Sequence, residues 1–207
     1  MGLLNLLMQD PLTFVLLAVP LLYSIIIHEL AHGWVAYRLG DPTAKYQGRL
    51  TLNPLKHLDP IGTAMLFLVG FGWAKPVPVD FNRLGHSRRG LILVSAAGIV
   101  ANTIFAFIAV LLLRLMAPSP SGSVGKFLYY LAQINIILAS FNLIPIPPLD
   151  GSKILMGFLP ERLQYEFSRL EPYGFFIIIG LLFLGALDPV IHFFRWIILA
   201  LIGLFLA

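Results

Sequence analysis

The sequence predicts an all-α polytopic membrane protein, with about five to six transmembrane helices, a small membrane-associated β-sheet and one re-entrant segment. Three observations carry this. Of the 207 residues 58% are hydrophobic and only 12% charged, against roughly 25% charged in soluble globular domains. The mean hydropathy is +0.88. Apolar runs long enough to cross a bilayer recur along the chain, separated by polar stretches.

The first run belongs to residues 11–39. Asp10-Pro11 resembles an N-cap followed by proline at the first helical position, and Gly40-Asp41-Pro42 a helix stop. Pro20 predicts a kink within it. No charged n-region and short apolar core with a small-residue cleavage site precede the run, so it is expected to be retained rather than removed as a signal peptide. The next run, IGTAMLFLVGFG at 61–72, falls short of the roughly 17–25 residues a crossing helix needs and is expected to be re-entrant. It is flanked by YQGRLTLN (46–53) and WAKPVPVD (73–80), which alternate apolar and polar residues. These predict the small surface sheet, with Pro76 and Pro78 marking an exposed edge. Longer runs follow at 90–117, 127–144, 173–187 and 189–206, with a polar segment at 160–172. There is no internal repeat and no second soluble region, so residues 1–207 are expected to form one intramembrane domain.

If 61–72 does not cross, then of the 14 Lys and Arg all but Arg114, Lys126 and Arg195 fall on one side of the membrane. Basic residues concentrate in the cytoplasm, which predicts the N-terminus outside. The same rule accounts for the net charge of +4 and the pI near 9.5 without a nucleic-acid partner. Cysteine is absent, which removes disulfides and thiolate ligands and leaves His, Asp and Glu to hold any transition metal.

The chemistry begins at SIIIHELAHGW, residues 24–34. His28 and His32 stand at i and i+4, so on a helix they share a face and can grip one metal ion, with Glu29 on the adjoining turn. Satisfied core histidines would explain the pair but leave Glu29 as an ionisable group inside lipid, where such residues are by default functional. A catalytic zinc site normally has three protein ligands. Candidates for the third are Glu161, Glu166 and Glu171 in the polar segment, Asp41, Asp59 and Asp80 in loops, and His57, His86 and His192, which read as surface residues. Asp150 stands apart. It lies in FNLIPIPPLDGSKI (141–154), where Pro145, Pro147 and Pro148 break an apolar helix and backbone must unwind inside protein. An Asp-Gly turn at the membrane surface is its plainer reading; beside an incomplete His pair the ligand reading gains.

HELAH together with N-x-x-P-x-x-P-L-D-G, Asn142 to Gly151, resembles the site-2 protease family of intramembrane zinc metalloproteases. The resemblance covers about residues 20 to 160 and implies one zinc ion per chain, held by His28, His32 and Asp150. It also implies Glu29 as the catalytic acid/base and Asn142 as a residue that helps stabilise the oxyanion. Gly48 to Pro60 and Gly72 to Val79 are similar to the membrane-associated β segments of short prokaryotic members, and nothing resembles the PDZ domain many relatives carry. Asn102, in SAAGIVAN, matches the family's G-P-x-x-N in part.

From the residues themselves, zinc at such a site polarises a peptide carbonyl and acidifies a water to a pKa of about 7. Glu29 can take that water's proton and pass it to the leaving amine. His28 lies eleven residues and His32 seven from Leu39, hence roughly 10–17 Å inside the cytoplasmic face. The expected substrates are transmembrane segments of other proteins or peptides, cut within the lipid bilayer of the cell membrane near the cytosol. The Val77 and Val79 edge is a candidate for pairing with unwound substrate. Asn142 reads equally as an oxyanion donor and as an interhelical tie, while Asn102 and Asn135 read as packing contacts. The tryptophans Trp34, Trp73 and Trp196 read as lipid-facing or interfacial. A metal or proton transporter would use the same intramembrane His, Glu and Asp, but transporters of common folds repeat their broken helices and only one break is evident. A di-iron bundle would need a second E-x-x-H, which is absent.

Overall fold

The protein is described from a computed structural model, over residues 3–69, 72–84 and 88–206. A short helix α1 (Leu3–Gln9) leads into α2 (Pro11–Arg38). Asp10 caps α2, accepting a hydrogen bond from the Thr13 N–H at 3.0 Å, with Pro11 in the first turn. The helix continues through a buried Pro20 and ends at Arg38. After the one-turn α3 (Thr43–Tyr46) and a 3₁₀ turn at Pro54–Lys56, α4 (Pro60–Val69) follows. Next come α5 (Arg88–Met116), α6 (Ser123–Asn142), α7 (Asp150–Phe158), α8 (Glu161–Ser168), α9 (Gly174–Phe183) and α10 (Asp188–Leu204).

Among the described residues three helices are long and apolar enough to cross a membrane: α2, α5 and α6, of 28, 29 and 20 residues. A fourth span arises if the stretch Glu161–Phe183 and α10, bent by 96°, cross as one unit. This is fewer than the five to six spans expected. The runs at 173–187 and 189–206 fold into helices of 10 and 17 residues, about 15 and 25 Å long, each shorter than a hydrocarbon core of roughly 30 Å. Three spans joined to several shorter apolar helices make this a multi-pass membrane protein.

Helix α5 is central, touching α2, α6 and α7, while α6 also packs on α2 and α10. Ile99 and Ala106 of α5, Ile136 and Ala139 of α6, and Ile198 and Ile202 of α10 form one core. Small residues in it bring the backbones close. Asn135 donates to Ser24 Oγ at 2.7 Å, tying α6 to α2.

The short run 61–72 yields a ten-residue helix, too short to cross. An antiparallel bridge between Leu58 and Ala74 sets its two flanks side by side. That bridge is all that stands, among the described residues, where a small sheet was expected. Side chains take the place of a partner strand. Arg49 donates to the Lys75 carbonyl at 2.7 Å, and His57 Nε2 lies 2.8 Å from the Thr51 carbonyl. The Val77 N–H goes to Glu29 and the Asp80 N–H to Asp41. Pro76 and Pro78 have no N–H to give. With the Val77 and Asp80 N–H groups given to side chains and none at Pro76 and Pro78, the segment 73–80 forms no ladder beyond that bridge.

Candidate metal centre

One helical turn apart on α2, the imidazoles of His28 and His32 meet edge to face, with ring centroids 4.6 Å apart. Their Nε2 atoms are 3.0 Å apart, and each lies 3.1 Å from Asp150 Oδ2. The other ring nitrogens are held from behind by α5. His32 Nδ1 lies 2.7 Å from the Val94 carbonyl, which can only accept, so Nδ1 carries the proton. His28 Nδ1 lies 3.1 Å from Asn102 Oδ1, an acceptor in the same sense. In the neutral imidazoles both Nε2 lone pairs therefore point toward the Asp150 oxygen, a buried atom that accepts no hydrogen bond. A proton can bridge two of these three atoms; a cation can satisfy all three. In a tetrahedral zinc site with bonds of about 2.0–2.1 Å, ligand atoms stand roughly 3.3–3.4 Å apart, so the observed triangle is only a few tenths tighter. The donor set fits a zinc ion.

Two glycines let the backbone approach this closely. A Cβ on Gly98 of α5 would come within 2.5 Å of His28 Cε1 and 2.6 Å of His32 Nε2, so the rings lie directly on the α5 backbone. A Cβ on Gly151 would come within 2.2 Å of the Leu143 carbonyl oxygen. Its absence lets the start of α7 fold back on the end of α6 and delivers Asp150 to the histidines. The intervening turn is closed by hydrogen bonds from the Ile146 N–H to the Ile144 carbonyl (2.8 Å) and from the Leu149 N–H to the Ile146 carbonyl (3.0 Å).

A cavity of about 290 Å³ opens beside the three ligand atoms. Its walls include Glu29, Val77, Ser95, Asn142 and Lys153. Glu29 Oε2 accepts the Val77 N–H at 2.7 Å, and Val77 itself is buried, so its N–H is not a free edge donor while that bond stands. Asn142 donates one amide hydrogen to the Leu138 carbonyl of its own helix at 3.0 Å.

The structure thus brings together His28, His32, Asp150, Glu29 and Asn142, which the sequence singles out. It separates them from most other candidates. His192 is exposed on α10, and Asp41, Asp59 and Asp80 serve as loop acceptors; Glu161, Glu166 and Glu171 are exposed. His57, read as a surface residue, is 1% exposed instead, because it holds the Thr51 carbonyl in place of a strand partner. His86 lies outside the described residues. Sequence reasoning missed the backing of the histidines. Asn102 was expected only to pack, and Val94 and Gly98 drew no attention. The signal available was spacing: 94, 98 and 102 recur every fourth residue and so share one face of a helix.

A cavity among apolar helices, with three clustered side chains that could hold a metal ion and a further carboxylate at its wall, defines the class as that of multi-pass membrane proteins with a candidate metal centre. Comparison with known proteins narrows it. The model of peptidase family M50 matches residues 116–185. The chain is 44% identical over 172 residues to the Bacillus subtilis protein named "Putative zinc metalloprotease YwhC", covering 80% of this chain and 78% of that protein. It is 30% identical over 179 residues to "Putative zinc metalloprotease Rip2" of Mycolicibacterium smegmatis, covering 84% and 69%. It is 26% identical over 158 residues to "Zinc metalloprotease MJ0392" of Methanocaldococcus jannaschii, covering 76% and 38%. No solved structure matches. The chain belongs to peptidase family M50, the site-2 protease family, and is a metalloprotease.

Proposed function

We propose that this chain is a zinc-dependent endopeptidase that hydrolyses peptide bonds within or beside transmembrane segments of other proteins, at a site toward the cytoplasmic side of the cell membrane. The observation that carries it is the convergence of two imidazole lone pairs and an unpartnered carboxylate oxygen among membrane-embedded helices. Zinc held by His28, His32 and Asp150 would supply Lewis acidity to the scissile carbonyl and to the attacking water.

The protein's own residues do the rest. Asn102 and the Val94 carbonyl fix the tautomer and orientation of the histidines. Glu29, on the cavity wall, takes a proton from the attacking water as its oxygen bonds to the peptide carbon. The same carboxylic acid then returns the proton to the amine nitrogen as the C–N bond breaks. The Val77 N–H orients that carboxylate. Asn142, with the amide hydrogen not given to Leu138, donates to the developing oxyanion. The cavity between α2, α5, the segment 76–81 and the broken stretch before α7 is where an unwound substrate would enter.

The test uses the protein purified into lipid nanodiscs with a model single-span substrate. Cleavage by the wild type is expected to stop on chelation and return with zinc. Glu29→Gln should lower kcat by about 10²–10⁴-fold while zinc content holds, because Gln keeps a carbonyl for the Val77 N–H. Cleavage that survives both treatments overturns the assignment, and zinc transport without cleavage would favour a transporter instead.

A further inference from the structure

Ser95 has a role in none of the chemistry above. It sits on α5 beside Val94 and one turn before Gly98, on the face that carries the histidine contacts, and it lines the cavity. It is 1% exposed, and its Oγ is a buried atom with no hydrogen-bond partner. That is unusual in a membrane helix, where hydroxyls ordinarily turn back to the carbonyl four residues earlier. Thr103 does so to Ile99 at 2.8 Å and Ser140 to Ile136 at 2.7 Å. A buried donor left without a partner is unfavourable, so it points to a partner that arrives with a ligand.

The ligand's chemistry follows from what an intramembrane protease must do. A helical substrate hides its peptide carbonyls in its own hydrogen bonds, and unwinding it inside lipid strips those carbonyls of partners at a steep cost. The cavity must supply donors to replace them. Part of its wall cannot: Pro76 and Pro148 have no N–H, and the Val77 N–H is held by Glu29, which leaves the second Asn142 amide hydrogen, Val79, Lys153 and Ser95 to do so. The Ser95 hydroxyl is uncommitted.

We infer that Ser95 is a substrate-binding residue, whose hydroxyl donates to a backbone carbonyl of the unwound transmembrane peptide next to the scissile bond. This rests on the protease reading, and its test is arranged to fail separately. In a Glu29→Gln background, where nothing is cut, the affinity of zinc-loaded protein in nanodiscs for a fluorescent single-span peptide is measured with and without Ser95→Ala. One neutral hydrogen bond predicts about a five- to tenfold weaker Kd. Zinc per chain should be unchanged and Tm equal or higher, since removing an unpartnered hydroxyl breaks no native bond and relieves an unsatisfied buried donor. Ser95→Thr, which keeps the hydroxyl, should bind within about twofold of the parent. An S95A affinity within twofold of the parent, a loss that S95T does not restore, or loss of zinc in S95A would each overturn the assignment. In the Glu29-containing protein, S95A should raise KM more than it lowers kcat. Wild-type protein that binds the peptide through Ser95 but never cleaves it would remove the protease reading and leave this one standing.

Discussion

At the scale of single residues, the site depends on which nitrogen of each histidine is left free. The i, i+4 pair is legible in the sequence because helical spacing alone sets both rings on one face. What fixes their tautomers is not legible, since it comes from residues 62 and 74 positions away on another helix, Val94 and Asn102. One sequence says which face a residue occupies, not what that face meets. Removing the Asn102 carbonyl in Asn102→Ala should leave the His28 Nδ1–H without its acceptor and weaken zinc binding about 10- to 100-fold, read by competition with a chromogenic chelator. Asn102→Asp, which keeps an acceptor oxygen, should lose far less. Equal losses in the two variants would mean that Asn102 only packs.

At the scale of elements, α5 acts as the backing plate of the centre. Gly98→Ala is the sharpest probe of it. Alanine is the better helix former by about 0.8–1 kcal/mol, yet its methyl would fall 2.5–2.6 Å from atoms of both rings. The expected outcome is a helix that persists by circular dichroism with zinc content per chain sharply reduced; full zinc occupancy in G98A would contradict the close approach. The segment 73–80 teaches a different lesson. Its alternation looked like a strand, and the prolines were read as an edge, but side chains from α2 and the neighbouring loops took its hydrogen bonds. Asp41 is the anchor. Its carboxylate accepts from the Thr43 N–H and hydroxyl and from the Asp80 N–H. Burial pushes its pKa up, but these hydrogen bonds together hold it below the ordinary 3.8. Because the folded value is depressed, the stabilisation is fully present above the unfolded value and is lost as pH falls below about 3.8 toward the folded one. Protection of the Asp80 N–H against hydrogen exchange, taken relative to the intrinsic rate at each pH, should fall in that acidic window, and Asp41→Asn should lower it already at neutral pH. Exchange that is unaltered in D41N would detach Asp41 from this role.

For the molecule as a whole, the charge asymmetry and the short run at 61–72 gave the same topology, and the Leu58–Ala74 bridge sets the two flanks of that run side by side. The count of spans was less legible. Hydropathy registers how far an apolar run extends, whereas crossing depends on where the helix within it breaks, as it does between Phe183 and Asp188. Cysteine is absent, so single introduced cysteines report without background. In oriented vesicles, Lys45→Cys and Ser168→Cys should label from the cytoplasmic side and Ser119→Cys from the opposite side. The opposite pattern would reverse the proposed orientation of the site, and labelling of all three from one side would contradict the crossing of α5 and α6. The account as a whole stands on three distant side chains sharing one cation, and metal analysis of purified protein measures that most directly. Wild-type protein is expected to carry about one zinc per chain, and folded Asp150→Ala and His28→Ala/His32→Ala variants next to none; zinc retained at the wild-type level in either variant would contradict it.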